Sequence, residues 1–217
     1  MKVYFIPGLA FDHRIFQKLE LGGVEFGYLD WIEPERGESI AAYAGRMAEG
    51  IEGNGPVALV GHSFGGIVAQ EIAAQLRVEQ TVLVSSIRSR SEMPRHFRVV
   101  RPMGIHWLFT KGLTVHSLGL WGKKHGYETP EEQTLFKDMV RKCSNHYLRW
   151  ALRTLSVWQA PPPPISGRIS QIHGALDRTF PIRHLSDPTH VVLDAGHFMV
   201  YKQPERISPL LAPLLSL

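Results

Sequence analysis

The sequence holds one cysteine, Cys143, in 217 residues. An internal disulfide is therefore excluded, which sets aside the small secreted folds that depend on such bridges and makes a reducing, cytoplasmic compartment the expected location. Long hydrophobic runs are equally scarce. The longest, Val3 to Phe11 counted across Pro7 and Gly8, falls short of the ~20 residues that span a bilayer. Pro7-Gly8 also breaks the continuous apolar segment of a secretory leader, and no small-residue cleavage region follows, so Val3 to Ile6 reads as a first core strand. Excess charge is small too. A formal +4, without a recognisable nucleic-acid-binding module, argues against nucleic acid as a partner. What remains, 44% hydrophobic and 20% charged residues with 20 Gly and 15 Pro, is the composition of one ordinary globular domain, long enough to bury a core. The 11 histidines lack the close His, Cys and carboxylate spacing of a metal site. Neither metal nor cofactor is expected.

Short apolar runs alternate with helical patterns, the signature of a parallel sheet with helices on its faces. After Val3 to Ile6, Phe11 to Leu19 reads as a helix with Asp12 as its cap, and Val24 to Leu29 as a second strand. Ser39 opens a helix running to about Glu52, with Ile40, Tyr43, Met47 and Ile51 spaced three and four apart; Gly53-Asn54-Gly55 stops it. Pro56 to Val60 is a third strand, Phe64 to Leu76 a helix and Thr81 to Val84 a fourth strand. The alternation then ceases. From Arg88 to Ala160 helical signals appear without strands, and Pro161 to Pro164 ends them with a stiff extended run. Residues 88–164 are thus expected to form an insertion, with 1–87 and 165–217 as the core. Arg168 to Ile172 and His190 to Leu193 supply two more strands, and a C-terminal helix after Gln203 is expected to be broken into short pieces by Pro209 and Pro213. No internal repeat is present.

Gly61-His62-Ser63-Phe64-Gly65 fits G-x-S-x-G, the sharp turn that lifts a serine between a strand and a helix. By itself the pattern is weak, since a serine N-cap flanked by glycines would look the same. Its context gives it weight, because a buried strand precedes it directly and a helix follows directly. A serine hydroxyl also needs a base to take its proton, and the base needs an acid to fix its tautomer. His197, in Asp194-Ala195-Gly196-His197-Phe198, follows the last strand; Asp177, in His173-Gly174-Ala175-Leu176-Asp177, follows the one before. Strand ends at one edge of a parallel sheet are where side chains converge. Asp194 is the competing acid, but so near His197 on the same strand end it points away from the place an orienting acid must occupy. Cys143 lacks a strand-turn-helix frame and is a poor nucleophile candidate.

With these residues in view the chain resembles the α/β-hydrolase family, over nearly all of its length outside the insertion. The family's H-G-x-x-D with a later proline matches His173, Gly174, Asp177 and Pro181, and its final G-H before a proline-bearing helix matches Gly196-His197 and Gln203-Pro204-Glu205. The early H-G-x turn stands here as Pro7-Gly8-Leu9, with proline where histidine is common. The resemblance implies a catalytic Ser63, Asp177 and His197, with the backbone N–H groups of Leu9 and Phe64 forming an oxyanion hole. It also implies an α/β fold: a parallel six-stranded α/β-hydrolase sheet in the order 2-1-3-4-5-6, flanked by helices, with a helical lid inserted after the fourth strand. The two leading strands of the family are missing. Only 19 residues separate Asp177 from His197, so the helix there should shrink to a turn around Ile182 to Leu185.

In the expected lid, Trp107, Trp121, Tyr147 and Trp150 either line an acyl pocket or pack the lid onto the core. Between Arg88 and Ile165 thirteen Lys and Arg stand against five Asp and Glu, a net +8, leaving −4 for the rest. Arg95, Arg98, Arg101, Arg149 and Arg153 therefore either steer an anionic substrate or keep the outer face solvated. The expected activity is a cofactor-independent serine hydrolase that cleaves a small-molecule carboxylic ester, thioester or amide through an acyl-enzyme. Two alternatives stay open, a lyase or carbon–carbon bond hydrolase of the same fold and a non-catalytic small-molecule-binding protein. Dehalogenase and epoxide-hydrolase relatives carry aspartate where this chain has Ser63. Neither the acyl group, the leaving group nor the oligomeric state follows from the sequence.

Overall fold

In the computed structural model, six strands form one sheet in the order β2-β1-β3-β4-β5-β6, and every neighbouring pair is parallel. The structure describes residues 1–53, 55–98, 100, 103–163 and 165–215, without the side chains of Arg98 and Lys124. Arg101 and Pro164 lie outside the described residues. The strands are β1 (Lys2–Ile6), β2 (Glu25–Tyr28), β3 (Val57–His62), β4 (Gln80–Val84), β5 (Arg168–Gly174) and β6 (His190–Val192). β3 and β4 are buried along their whole length. Continuous apolar runs such as Val57-Ala58-Leu59-Val60 suit strands covered on both faces, which is why they show no alternation.

Between the strands lie α1 (Ile40–Ala48) and α2 (Phe64–Ala73). Ser39 caps α1, its hydroxyl accepting from the Ala42 N–H at 3.1 Å, and Tyr43, Ala44, Met47 and Ala48 form its buried stripe. All of α2 is buried. Both end a turn short of their expected limits. Phe11 to Leu19 is not a helix; only a single 3-10 turn forms, His13–Phe16, with Asp12 as its cap. The buried residues there, Ile15 and Phe16, are sequence neighbours rather than one turn apart, so no apolar stripe supports a longer helix.

After β4 the described chain contains α3 (Arg95–Arg98), α4 (Lys111–Trp121), α5 (Pro130–Lys142) and α6 (Asn145–Val157), and no strand before β5. These helices share an apolar core with the sheet. Trp150 of α6 packs on Tyr43 of α1 with ring centroids 4.3 Å apart, and Phe136 of α5 meets Phe11 at 5.7 Å. Between β5 and β6 the connection is one 3-10 turn, Ile182–His184, as its length requires.

After the short α7 (Met199–Lys202), α8 (Pro204–Leu215) runs unbroken through Pro209 and Pro213, against the expectation of short pieces. Both prolines lie on the exposed face, where the carbonyls they leave unbonded open to water. Ile207, Leu211 and Leu215 bury the opposite stripe. The Ser208 hydroxyl accepts from the Glu20 N–H at 3.0 Å and ties this helix to the start of the chain.

Candidate active site

β3 ends at His62, and the next residue turns sharply: Ser63 has φ 53° and ψ −120°. A non-glycine residue adopts that region at a cost of roughly 1–3 kcal/mol and only where its surroundings enforce it. Here the enforcement is close packing. A Cβ on Gly61 would strike the Gly65 carbonyl and Gly66, and one on Gly65 would strike the Ile6 and Pro7 carbonyls, so the two glycines let helix and strand approach behind the serine. The Ser63 N–H donates to the Val84 carbonyl at 2.9 Å and its carbonyl accepts from the Ser86 hydroxyl at 2.6 Å.

From the ends of β5 and β6 come the other two groups. His197 Nε2 lies 2.9 Å from Ser63 Oγ, and His197 Nδ1 lies 2.8 Å from Asp177 Oδ2. The second carboxylate oxygen of Asp177 accepts from the backbone N–H groups of Thr179 at 2.8 Å and Phe180 at 2.9 Å. Burial pushes the Asp177 carboxyl up, but the facing His197, His173 and the Phe180 N–H outweigh it and hold the carboxyl below its usual range. It is an ionised acceptor at neutral pH.

Two further imidazoles support this line. His62, fully buried, donates from Nε2 to the His197 carbonyl at 2.9 Å, and burial together with the neighbouring His197 depresses it to about 3. His173 donates from Nε2 to the Phe180 carbonyl at 2.7 Å while lying 3.3 Å from Asp177 Oδ2, and burial lowers its pKa as well. Both stay neutral. Neither was singled out for a role in the sequence; His62 stood at the variable position of the serine turn, which is the only signal it offered.

Just past β1, against the His62 ring, Gly8 to Phe11 form a turn closed by Phe11 N–H to the Gly8 carbonyl at 3.0 Å, with Ala10 at φ 67°. Leu9 sits inside that turn and Phe64 opens α2. Neither backbone N–H meets an acceptor among the described residues. The Trp31 indole, donating to the Gly8 carbonyl at 3.0 Å and packed 5.5 Å from the Phe64 ring, braces the two segments.

A family model for the alpha/beta hydrolase family matches residues 3–210. The chain belongs to that family. Membership supports hydrolytic activity. No curated protein is similar enough to this hydrolase to register as a match. Among solved structures it is similar to an esterase from Exiguobacterium antarcticum, 18% identical with a TM-score of 0.79 over 100% of this chain and 92% of that one. A hydrolase from Pseudomonas aeruginosa is 16% identical, with a TM-score of 0.75 over 100% and 90%. A thioesterase of the prodiginine biosynthetic pathway in Streptomyces coelicolor is 16% identical, with a TM-score of 0.66 over 99% and 90%. At such identities the likeness shows the fold. No helix among the described residues is long and apolar enough to cross a membrane.

In this α/β hydrolase the remaining residues singled out in the sequence fall in several places. The Asp194 carbonyl accepts from Gln203 Nε2 at 2.9 Å, and Asp194 lines a cleft of about 460 Å³ on the outer side of His197. That cleft also carries Lys123, Arg178 and Lys202, a charged mouth the sequence did not reveal. Cys143 is half-buried, and burial pushes its thiol up to about 11, which disarms it as a nucleophile. Tyr147 is buried against Trp31, centroids 5.5 Å apart. Trp121 packs edge-on against Tyr127 and Phe136, whose rings cluster with Phe11 and Phe198, and Phe11 in turn meets the His62 ring at 5.5 Å. Trp107, Arg149 and Trp150 line a different cleft, which contains none of Ser63, Asp177 or His197. Arg95 is exposed at the start of α3.

Proposed function

We propose that this protein is a serine hydrolase acting on a small carboxylic ester or thioester through an acyl-enzyme. The hydrogen-bonded line Ser63 Oγ, His197 Nε2, His197 Nδ1, Asp177 Oδ2, with links of 2.9 and 2.8 Å, carries the reading. Ser63 Oγ attacks the acyl carbonyl as His197 Nε2 takes its proton, and the ionised Asp177 stabilises the resulting imidazolium. The carbonyl oxygen becomes an oxyanion within reach of the free Leu9 and Phe64 N–H groups. Collapse of the adduct expels the alcohol or thiol, which takes the proton back from His197. Water then attacks the acyl-enzyme with His197 again as base, releasing the acid and restoring Ser63.

Residues 88–164 act in this reading as a helical lid, with the aromatic cluster around Trp121 and Tyr127 bordering the acyl group. The lone, poorly reactive thiol suits a cytoplasmic setting. No cofactor takes part. Fluorophosphonate labelling of the wild type, abolished in Ser63→Ala, is the expected result, followed by turnover of a chain-length series of p-nitrophenyl esters and acyl thioesters. Full turnover by Ser63→Ala on the best substrate would overturn the nucleophile assignment. Turnover of a carbon–carbon substrate without an acyl-enzyme would favour the lyase-type alternative.

A further inference from the structure

A cleft of about 520 Å³ lies between the segment leading into α1, the 3-10 turn Ile105–Leu108 and the outer face of α6. Its walls carry three indoles, Trp107, Trp150 and Trp158, and two guanidinium groups, Arg149 and Arg153. The one carboxylate in its lining, Glu38, is turned onto Arg46, which donates from Nε and Nη2 at 2.8 Å each, and its side chain is only 4% exposed. Among the described residues neither Arg149 nor Arg153 has an anionic partner. Net positive charge therefore faces this cleft. The Arg149 guanidinium is stacked 5.5 Å from the Trp107 ring, which is itself 64% exposed.

Two buried polar atoms in these walls find no bonding partner among the described residues. They are Arg149 Nε and His106 Nδ1, and His106 is only 9% exposed. Buried polar atoms are nearly always satisfied; both atoms are closed off from solvent, so an acceptor entering this cavity of ligand size meets them as the Arg149 and His106 side chains turn toward it. An anion with oxygen acceptors fits the guanidinium and imidazole groups, and a flat apolar body fits the indoles.

The geometry points to a second binding site, separate from Ser63, for a small planar organic anion: an aromatic body bearing a carboxylate or a phosphate. Ser63, His197, Asp177, Leu9 and Phe64 are all absent from its lining. The guanidinium of Arg149 and the imidazole of His106 take the anionic oxygens, Arg153 adds charge at the rim, and the aromatic body lies against Trp107. The site does not depend on the hydrolase reading.

The test is isothermal titration of Ser63→Ala with 1-naphthoate, 1-naphthyl phosphate and the neutral 1-naphthol. At least one anion should bind with 1:1 stoichiometry and at least tenfold more tightly than 1-naphthol; whichever anion binds tighter identifies the acidic group. Its affinity should fall with added salt, and Arg153→Glu, at an exposed position, should weaken it at least tenfold. Binding should persist in wild-type protein carrying a fluorophosphonate on Ser63. Absence of saturable binding, anion binding no tighter than that of 1-naphthol, indifference to both salt and Arg153→Glu, or loss of binding on Ser63 labelling would each overturn the proposal. Melting temperatures confirm that each variant is folded, and the salt series on the unaltered lining decides the matter should Arg153→Glu fail to fold.

Discussion

Replacing Asp177 by asparagine tests the proposed chemistry most sharply, because the structure dictates how the new amide must turn. One carboxylate oxygen of Asp177 accepts from two backbone N–H groups, Thr179 at 2.8 Å and Phe180 at 2.9 Å. Only the amide oxygen of asparagine can keep those bonds, so its NH₂ group must face His197 Nδ1. An NH₂ donor there drives His197 into the tautomer with a bare Nδ1 and a protonated Nε2. That Nε2, 2.9 Å from Ser63 Oγ, then donates to the serine instead of taking its proton. The expected loss in kcat is on the order of 10⁴, the scale known for a triad aspartate changed to asparagine. It corresponds to about 5.4 kcal/mol of transition-state stabilisation at 1.36 kcal/mol per tenfold. Steady-state hydrolysis of a p-nitrophenyl ester, with fluorophosphonate labelling rate as a second readout, measures it. The Asp194→Asn variant, assayed beside it, should stay near wild type. If Asp177→Asn keeps kcat within tenfold of wild type while Asp194→Asn loses it, the tautomer reasoning and the choice of acid both fail.

Exchanging His62 for phenylalanine preserves a buried ring but leaves the His197 carbonyl unpaired, so kcat should fall about tenfold, the worth of one net hydrogen bond; an unchanged kcat would remove His62 from any positioning role. Gly65→Ala drives a methyl into the Ile6 and Pro7 carbonyls and should cost about 3 kcal/mol or prevent folding, read by urea denaturation. Glu71, buried on α2, accepts from the Trp158 indole at 2.7 Å, and burial raises its pKa despite that bond. The stability its neutral form contributes is complete below the ordinary value of 4.5 and is lost as pH rises through the raised one. Glu71→Gln, which keeps an acceptor for Trp158 without the charge, should therefore raise the melting temperature at pH 7 by about 2–4 °C, with the advantage vanishing at pH 4; equal gains at both pH values would contradict the assignment.

The sheet order was legible because each strand is a short apolar run bounded by Gly, Pro or a polar helix start, and right-handed crossovers leave few ways to arrange such runs. The meeting of Ser63, Asp177 and His197 was legible for a related reason, since all three stand just past strand ends on one edge. What escaped depends on depth rather than pattern. Only its place in the serine turn distinguishes His62 from the other histidines; its task appears when β3 and the loop after β6 bring Nε2 and the His197 carbonyl to 2.9 Å. The helix expected from Phe11 failed because apolar content was taken for apolar spacing. The breaks expected at Pro209 and Pro213 failed because both rings lie on the wet face, where a missing N–H costs little and the buried Ile207, Leu211 and Leu215 hold the helix together. Between Trp121 and Trp150, residue type alone could not say which packs on Tyr127 and Phe136 and which on Phe64 beside the second cleft.

The order in which the site's parts leave the ribosome follows from where they sit on the sheet. Ser63 emerges early, at the end of an interior strand, while its two partners arrive just past β5 and β6. On the proposed roles, a nascent chain therefore exposes a hydroxyl without its base until β5 and β6 have followed. It is armed only when the last two strands dock. Under the proposed chemistry a fragment released early, or a chain nicked between α2 and β5 whose pieces part, carries the whole serine turn without its base and acid, so activity would double as a report that β5 and β6 have docked.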